Sequence, residues 1–123
     1  MQVLTAGQRG AVLLLEWENF QLVLPVGMSF DDMETLQMGK QVGRVSGLLL
    51  ADAGFAPLNP PEWIAALQLQ VVLLSVLPKD ATGLPSPETL AAVAGYTLLR
   101  TDENGWIELS TDGKQMWVEV ERR

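Results

Sequence analysis

Chemistry in a protein needs side chains that pass protons, hold metals or attack an electrophile, and in this chain the supply is one-sided. There is no histidine and no cysteine. That removes imidazole metal centres, Ser-His-Asp triads and thiolate chemistry at once. What remains is carboxylate: 15 Asp and Glu against 8 Lys and Arg, a formal net charge of −7. Ser46, Ser75, Ser86 and Ser110 have no histidine to activate them, and neither Lys40 nor Lys79 stands at a spacing that would replace one.

Most of the carboxylates have a structural reading. Asp31, Asp32 and Glu34 fall at the start of an expected helix, where acidic groups complement the helix dipole. Asp102-Glu103-Asn104-Gly105 reads as an acidic, exposed hairpin turn. Asp52 is different. It follows an apolar strand directly, at the strand end where α/β folds carry function, although an Asp beside glycine is first of all a turn former. Gly7-Gln8-Arg9-Gly10 precedes a strand, whereas a phosphate loop follows one and opens a helix, so it reads as a turn.

Charge also limits the partners. Arg9, Lys40, Arg44, Lys79, Arg100, Lys114, Arg122 and Arg123 are scattered, and only the terminal two are adjacent. Phosphate backbones and anionic membranes are held by clustered Lys and Arg, so no strong nucleic-acid or membrane-surface binding is expected. The longest apolar runs (residues 11–15, 48–51 and 71–74) fall far short of the ~20 residues of a membrane helix. The first residues lack the basic and apolar regions of a signal peptide.

The elements that would position these groups follow from pattern. A chain of 123 residues, 48% of them hydrophobic, fits one domain over residues 1–123. Ala11–Trp17 and Phe20–Pro25 read as a hairpin around Glu18-Asn19. Ser29 opens a helix with Phe30, Met33 and Leu36 on one face, stopping near Gly39. Val45–Leu50 is a strand. Asn59 is expected to cap a helix with Pro60 at its first position and Trp63, Ile64 and Leu67 inward. Gln70–Leu77 is a strand. Ser86-Pro87-Glu88 begins a helix with Leu90, Val93 and Ala94 inward. Tyr96–Arg100, Trp106–Ser110 and Gln115–Val120 close the chain through turns at Asn104-Gly105 and Asp112-Gly113. The expected order is ββ-α-β-α-β-α-βββ, an α/β fold with a mixed sheet. Trp17 and Trp106 are expected in the core. In the last strand Met116, Val118 and Val120 alternate with Trp117, so both faces look apolar, and Trp117 becomes the candidate partner surface.

These segments together resemble the C-terminal half of the metallo-β-lactamase-like domain of ComEC-type DNA-internalisation competence proteins. The resemblance runs from about Gly10 to Glu121. It is carried most firmly by Ser86-Pro87-Glu88-Thr89-Leu90, Leu99–Gly105, Ile107 and Asp112-Gly113, with Val71–Val76 as the strand before that helix. It implies half of a metallo-β-lactamase-like sandwich, with helices on one face of the sheet. It also implies a soluble domain attached to a bacterial inner-membrane protein of DNA uptake. The family's metal ligands are not matched. Its H-x-H-x-D-H motif belongs to the N-terminal half. Where its T-G-D step carries an aspartate ligand this chain has Gly27, and where its P-H-H-G step carries histidines it has Asp52 and Ala53, with only Gly54 kept. Gly27, Asp52 and Gly54 would mark a vestigial site. The expectation is therefore a non-catalytic accessory or interaction domain with no cofactor. Its uncovered sheet face would be closed by an upstream half of the parent protein or by a second copy. Two other readings are a divergent metal-dependent hydrolase using Asp52 with Asp31 or Asp80, and a module guiding single-stranded DNA.

Overall fold

The computed structural model describes residues 2–7, 10–26, 45–76 and 83–122. Three antiparallel strands open the chain: β1 (Gln2–Gly7), β2 (Gly10–Trp17) and β3 (Phe20–Val26). Gly7 stands opposite Gly10, so the glycine pair closes a hairpin turn, as its sequence position implies. Three parallel strands follow: β4 (Gly47–Leu49), β5 (Val71–Leu74) and β6 (Thr97–Arg100). They pair in chain order from β3 outward, giving one mixed sheet, β1-β2-β3-β4-β5-β6. Helix α1 (Pro61–Ala66) joins β4 to β5, and helix α2 (Pro87–Ala92) joins β5 to β6. A one-turn helix α3 (Thr101–Asn104) leads to a separate hairpin of β7 (Ile107–Thr111) and β8 (Met116–Val120).

The parallel strands advance one place at a time in one direction. Right-handed crossovers then put their helices on the same face. Val12, Leu14, Val23, Leu48 and Val72 from that face form one buried cluster with Trp63, Ile64 and Leu67 around α1 and with Val93 just after α2. The register sets the pattern: Leu14 stands opposite Val23, Val23 opposite Leu48, and Leu48 opposite Val72. The hairpin lies on the other face. Leu49, Leu73, Ile107 and Leu109 line one small cavity between hairpin and sheet, and Val71, Leu99, Met116, Val118 and Val120 line another.

Several expectations need correction. The chain begins with an additional strand, β1, and the last three strands are not consecutive, so the expected order does not hold. Asn104-Gly105 is not a hairpin turn. Asn104 ends α3, its Oδ1 accepting from the Arg100 N–H at 2.9 Å and its Nδ2 donating to the Arg122 carbonyl at 2.9 Å. These bonds knot the exit of β6 to the end of the chain, and β6 and β7 part into different sheets. Asp102, expected in an exposed turn, is mostly buried and held by Arg100. Trp17 and Trp106 are not core but half exposed, at 53% each. Ala94 is exposed, while Val93 is buried and Leu90 half-buried. Asn59 does not cap α1: Pro60 precedes the helix, and no side chain caps it. The helix expected from Ser29 lies outside the described residues. No described helix is long and apolar enough to cross a membrane.

Candidate functional site

Asp52 stands where the carboxyl ends of the parallel strands meet the loop of residues 51–60. Asp52, Ala53 and Gly54 are three consecutive left-handed residues, with φ of 45°, 52° and 87°. For Asp and Ala that conformation costs about 1 kcal/mol each, so the surroundings must impose it. Two side chains do so. Buried Asn59 accepts from the Ala51 N–H at 2.9 Å, and its Nδ2 donates to the Ala51 carbonyl at 3.0 Å and to the Phe55 carbonyl at 2.7 Å. Ser86 ties the same loop to the start of α2. Its Oγ accepts from the Ala56 N–H at 3.0 Å, and its N–H donates to the Gly54 carbonyl at 3.1 Å. A Cβ on Gly54 would lie 2.6 Å from Pro85 Cβ, so the glycine is required both by its φ and by close approach.

The clamped loop forms one wall of an open cleft of about 700 Å³. Asp52, Ala53 and Phe55 line one side, and Leu84, Ser86 and Glu88 the other. The cleft thus brings two carboxylates to the carboxyl edge of the parallel strands, where open α/β sheets hold ligands. Glu88 was not singled out in the sequence, where it looked like an ordinary first-turn helix residue. Among the described residues no three His, Cys, Asp or Glu side chains come together as a metal-holding group. Gly27, Asp31 and Asp80 lie outside the described residues. Of the three vestigial-site residues, then, Asp52 and Gly54 share one short turn, with only Asp52 on the cleft wall.

The second feature is the hairpin face of the sheet. Leu13, Leu15, Leu24, Leu49, Leu73 and Leu99 are half-buried there while Phe20, Leu22 and Val71 are buried, and on the helix face Val12, Leu14, Val23, Leu48 and Val72 are all buried. Val26 is 54% exposed. The hairpin turns Ile107, Leu109, Met116, Val118 and Val120 toward this face, all half-buried, and Glu108, Ser110, Trp117 and Glu119 outward. Strand β8 thus carries Met116, Val118 and Val120 on its inner face and Trp117 on its outer one, the alternation expected from its sequence. Trp117 is 50% exposed but stands among polar neighbours, opposite Ser110. Among the described residues of β2 and β3, the exposed apolar side chains on this face are Trp17 and Val26.

Arg100 and Asp102 hold the corner where sheet passes to hairpin. The guanidinium meets the carboxylate with two bonds, Nε to Oδ1 at 3.0 Å and the second nitrogen to Oδ2 at 2.7 Å. The hydrogen bond from Arg100 holds the Asp102 carboxyl below its ordinary value, and the same bond raises the Arg100 guanidinium. Thr101 Oγ1 adds a second tie, donating to the Val76 carbonyl and accepting from its N–H, both at 2.9 Å. Comparison with protein-family models, with curated proteins and with solved structures finds no match to this chain.

Proposed function

We propose that this chain is a non-catalytic interaction domain: the C-terminal half of a metallo-β-lactamase-like sandwich, in the setting of a ComEC-type DNA-uptake protein. The observation that carries the reading is the hairpin face. Among the described residues, a six-stranded sheet, apolar on both sides, has helices over one side and a two-stranded hairpin over the other. A sandwich half separated from its partner layer has that form. The donor set supports the silent part of the proposal. The resemblance matches Asp52 and Ala53 to histidine ligands, and a carboxylate with no imidazole in the chain is a poor nucleus for a metal-hydroxide site. In this reading the domain is soluble, stands beside a membrane channel, and contributes a surface to assembly.

A second reading has one observation in its favour. Asp52 and Glu88 line the same cleft at the catalytic edge of an α/β sheet, as a divergent carboxylate-dependent hydrolase would require. One experiment separates the two. The purified protein is analysed for bound metal after growth with Mn²⁺ and Zn²⁺, and then incubated with single- and double-stranded DNA. The proposal expects neither stoichiometric metal nor cleavage. Retained metal that disappears in Asp52→Ala, together with Asp52-dependent cleavage, would replace it with the hydrolase. Anisotropy of labelled single-stranded DNA covers the DNA-guiding alternative, and with a net charge of −7 no binding is expected at physiological salt.

A further inference from the structure

The corner between β6 and β7 is built on Asn104-Gly105, the pairing in which an asparagine side chain most readily loses ammonia. Asparagine is thermolabile, and a following glycine has no Cβ to shield its backbone nitrogen. The fold needs both residues. Asn104 joins Arg100 to Arg122, its Oδ1 accepting from the Arg100 N–H and its Nδ2 donating to the Arg122 carbonyl, both at 2.9 Å. Gly105 has φ of 74°, and a Cβ there would run into the Glu121 side chain. The pair that fastens the hairpin is therefore also the pair that can react. The same contacts keep the reacting atoms occupied. The nitrogen that would attack, Gly105 N, donates to the Thr101 carbonyl at 3.1 Å, and both ends of the Asn104 amide are engaged.

We infer that Asn104 is a deamidation site gated by the hairpin corner, and that its reaction unfastens the hairpin. When the corner opens, Gly105 N gives up its proton and attacks Asn104 Cγ. The N–Cγ bond forms, the Cγ–Nδ2 bond breaks, and ammonia leaves with that proton. Water then opens the five-membered imide at either carbonyl, leaving aspartate or isoaspartate at position 104. Only solvent water is consumed. The product has no N–H to donate to the Arg122 carbonyl, so that tie is lost. Isoaspartate also lengthens the backbone by one atom and moves the Gly105 N–H off the Thr101 carbonyl. A neutral amide becomes a carboxylate, which adds one negative charge to the −7 already present. The hairpin carries its own control in Asp112-Gly113. Ring closure there needs a protonated carboxyl, which would leave as water. The Asp112 carboxylate instead accepts from the Lys114 and Gln115 N–H groups, both at 2.8 Å, and these bonds hold it below its ordinary value. The inference does not depend on what the domain binds.

The test compares the whole chain with a synthetic peptide of residues 99–108 at mildly alkaline pH, with conversion read by intact mass and peptide mapping. The peptide gives the rate of the open state. The folded protein should react at position 104 about 10-fold more slowly or less, because only its opened fraction reacts. Thr101→Val removes both bonds to Val76 without touching the reacting atoms, and should react several-fold faster than the unaltered protein. Asn104→Asp carries the product's carboxylate from the start. It should speed hydrogen exchange at the β7 and β8 amides by about 10-fold and leave the β4 and β5 amides protected. Position 112 should stay unconverted throughout. Conversion at position 104 as fast as in the peptide overturns the gate, and so does an unaltered rate in Thr101→Val. Conversion at position 112 that keeps pace with position 104 overturns the assignment to the corner. Unaltered exchange at β7 and β8 in Asn104→Asp overturns the unfastening. The interaction-domain reading falls to none of these results, only to metal-dependent cleavage.

Discussion

The two faces of the main sheet are built from the same residue types and end in different states. On the helix face Val12, Val23, Leu48 and Val72 are fully buried. One residue along the same strands, Leu13, Leu24, Leu49 and Leu73 are half-buried under a hairpin or under nothing described. Strand composition does not separate them, because strands buried on both faces and strands awaiting a cover read alike. What differs is the covering element. The crossover helices are fixed in place by the strand connections, while the hairpin is tied on by a few bonds at its ends. The Asn19 N–H donates to the Gly113 carbonyl at 2.8 Å at one end, and the Arg122 N–H to the Asn104 carbonyl at 2.8 Å at the other.

The contrast gives its largest prediction at two adjacent residues. Leu48→Ala should cost about 3 kcal/mol in urea unfolding and Leu49→Ala about 1 kcal/mol, because only the first leaves a closed cavity. Equal losses would mean that the hairpin face is as tightly closed as the helix face. Asn59→Ala should also cost about 3 kcal/mol, since it leaves the buried Ala51 N–H and carbonyl without their partner. A loss below 1 kcal/mol would show that water replaces the clamp. Ala53→Gly should stabilise by about 1 kcal/mol, because glycine takes up φ of 52° without strain. A destabilised variant would mean that the Ala53 methyl earns more by packing on the core than its backbone loses.

The smallest effect concerns the hairpin's corner. Asp102 has its folded value depressed, so its contribution is complete above the unfolded carboxylate value and disappears as pH falls through the folded one. Arg100 keeps its proton throughout that range. Acidification below about pH 4 should therefore loosen the hairpin, with at most about 1 kcal/mol at stake for a mostly buried pair that still meets solvent. Hydrogen exchange of β7 and β8 amides at pH 5 and pH 3 reports it. A faster rise there than in β4 and β5 is expected, and Asp102→Asn should flatten the difference.

Much of the fold was legible because local rules governed it. The β2–β3 turn, the helices after Pro60 and Ser86, and the Asp112-Gly113 turn all lie where spacing put them. Asn59 was misread for a local reason that the sequence also held. Pro60 takes the N-cap position, so Asn59 stands one residue outside the helix and its amide serves the loop instead. Asn104-Gly105 was misread for a non-local one, since its bonds reach Arg122, eighteen residues on.

The candidate site divides the same way. Its chemistry was bounded by composition: a chain without histidine or cysteine can offer a cleft no imidazole and no thiol, and the ionisable side chains lining this one are the carboxylates of Asp52 and Glu88. Its geometry was settled by tertiary structure. The Asn59 and Ser86 ties hold residues 52–54 in left-handed conformations and put Asp52 on the cleft that Glu88 also lines, through contacts that join residues up to thirty-two apart. The same holds for the sheet: the sequence dictated that both faces be apolar, and only the packing of helices on one side and a hairpin on the other decided which positions of each face were closed.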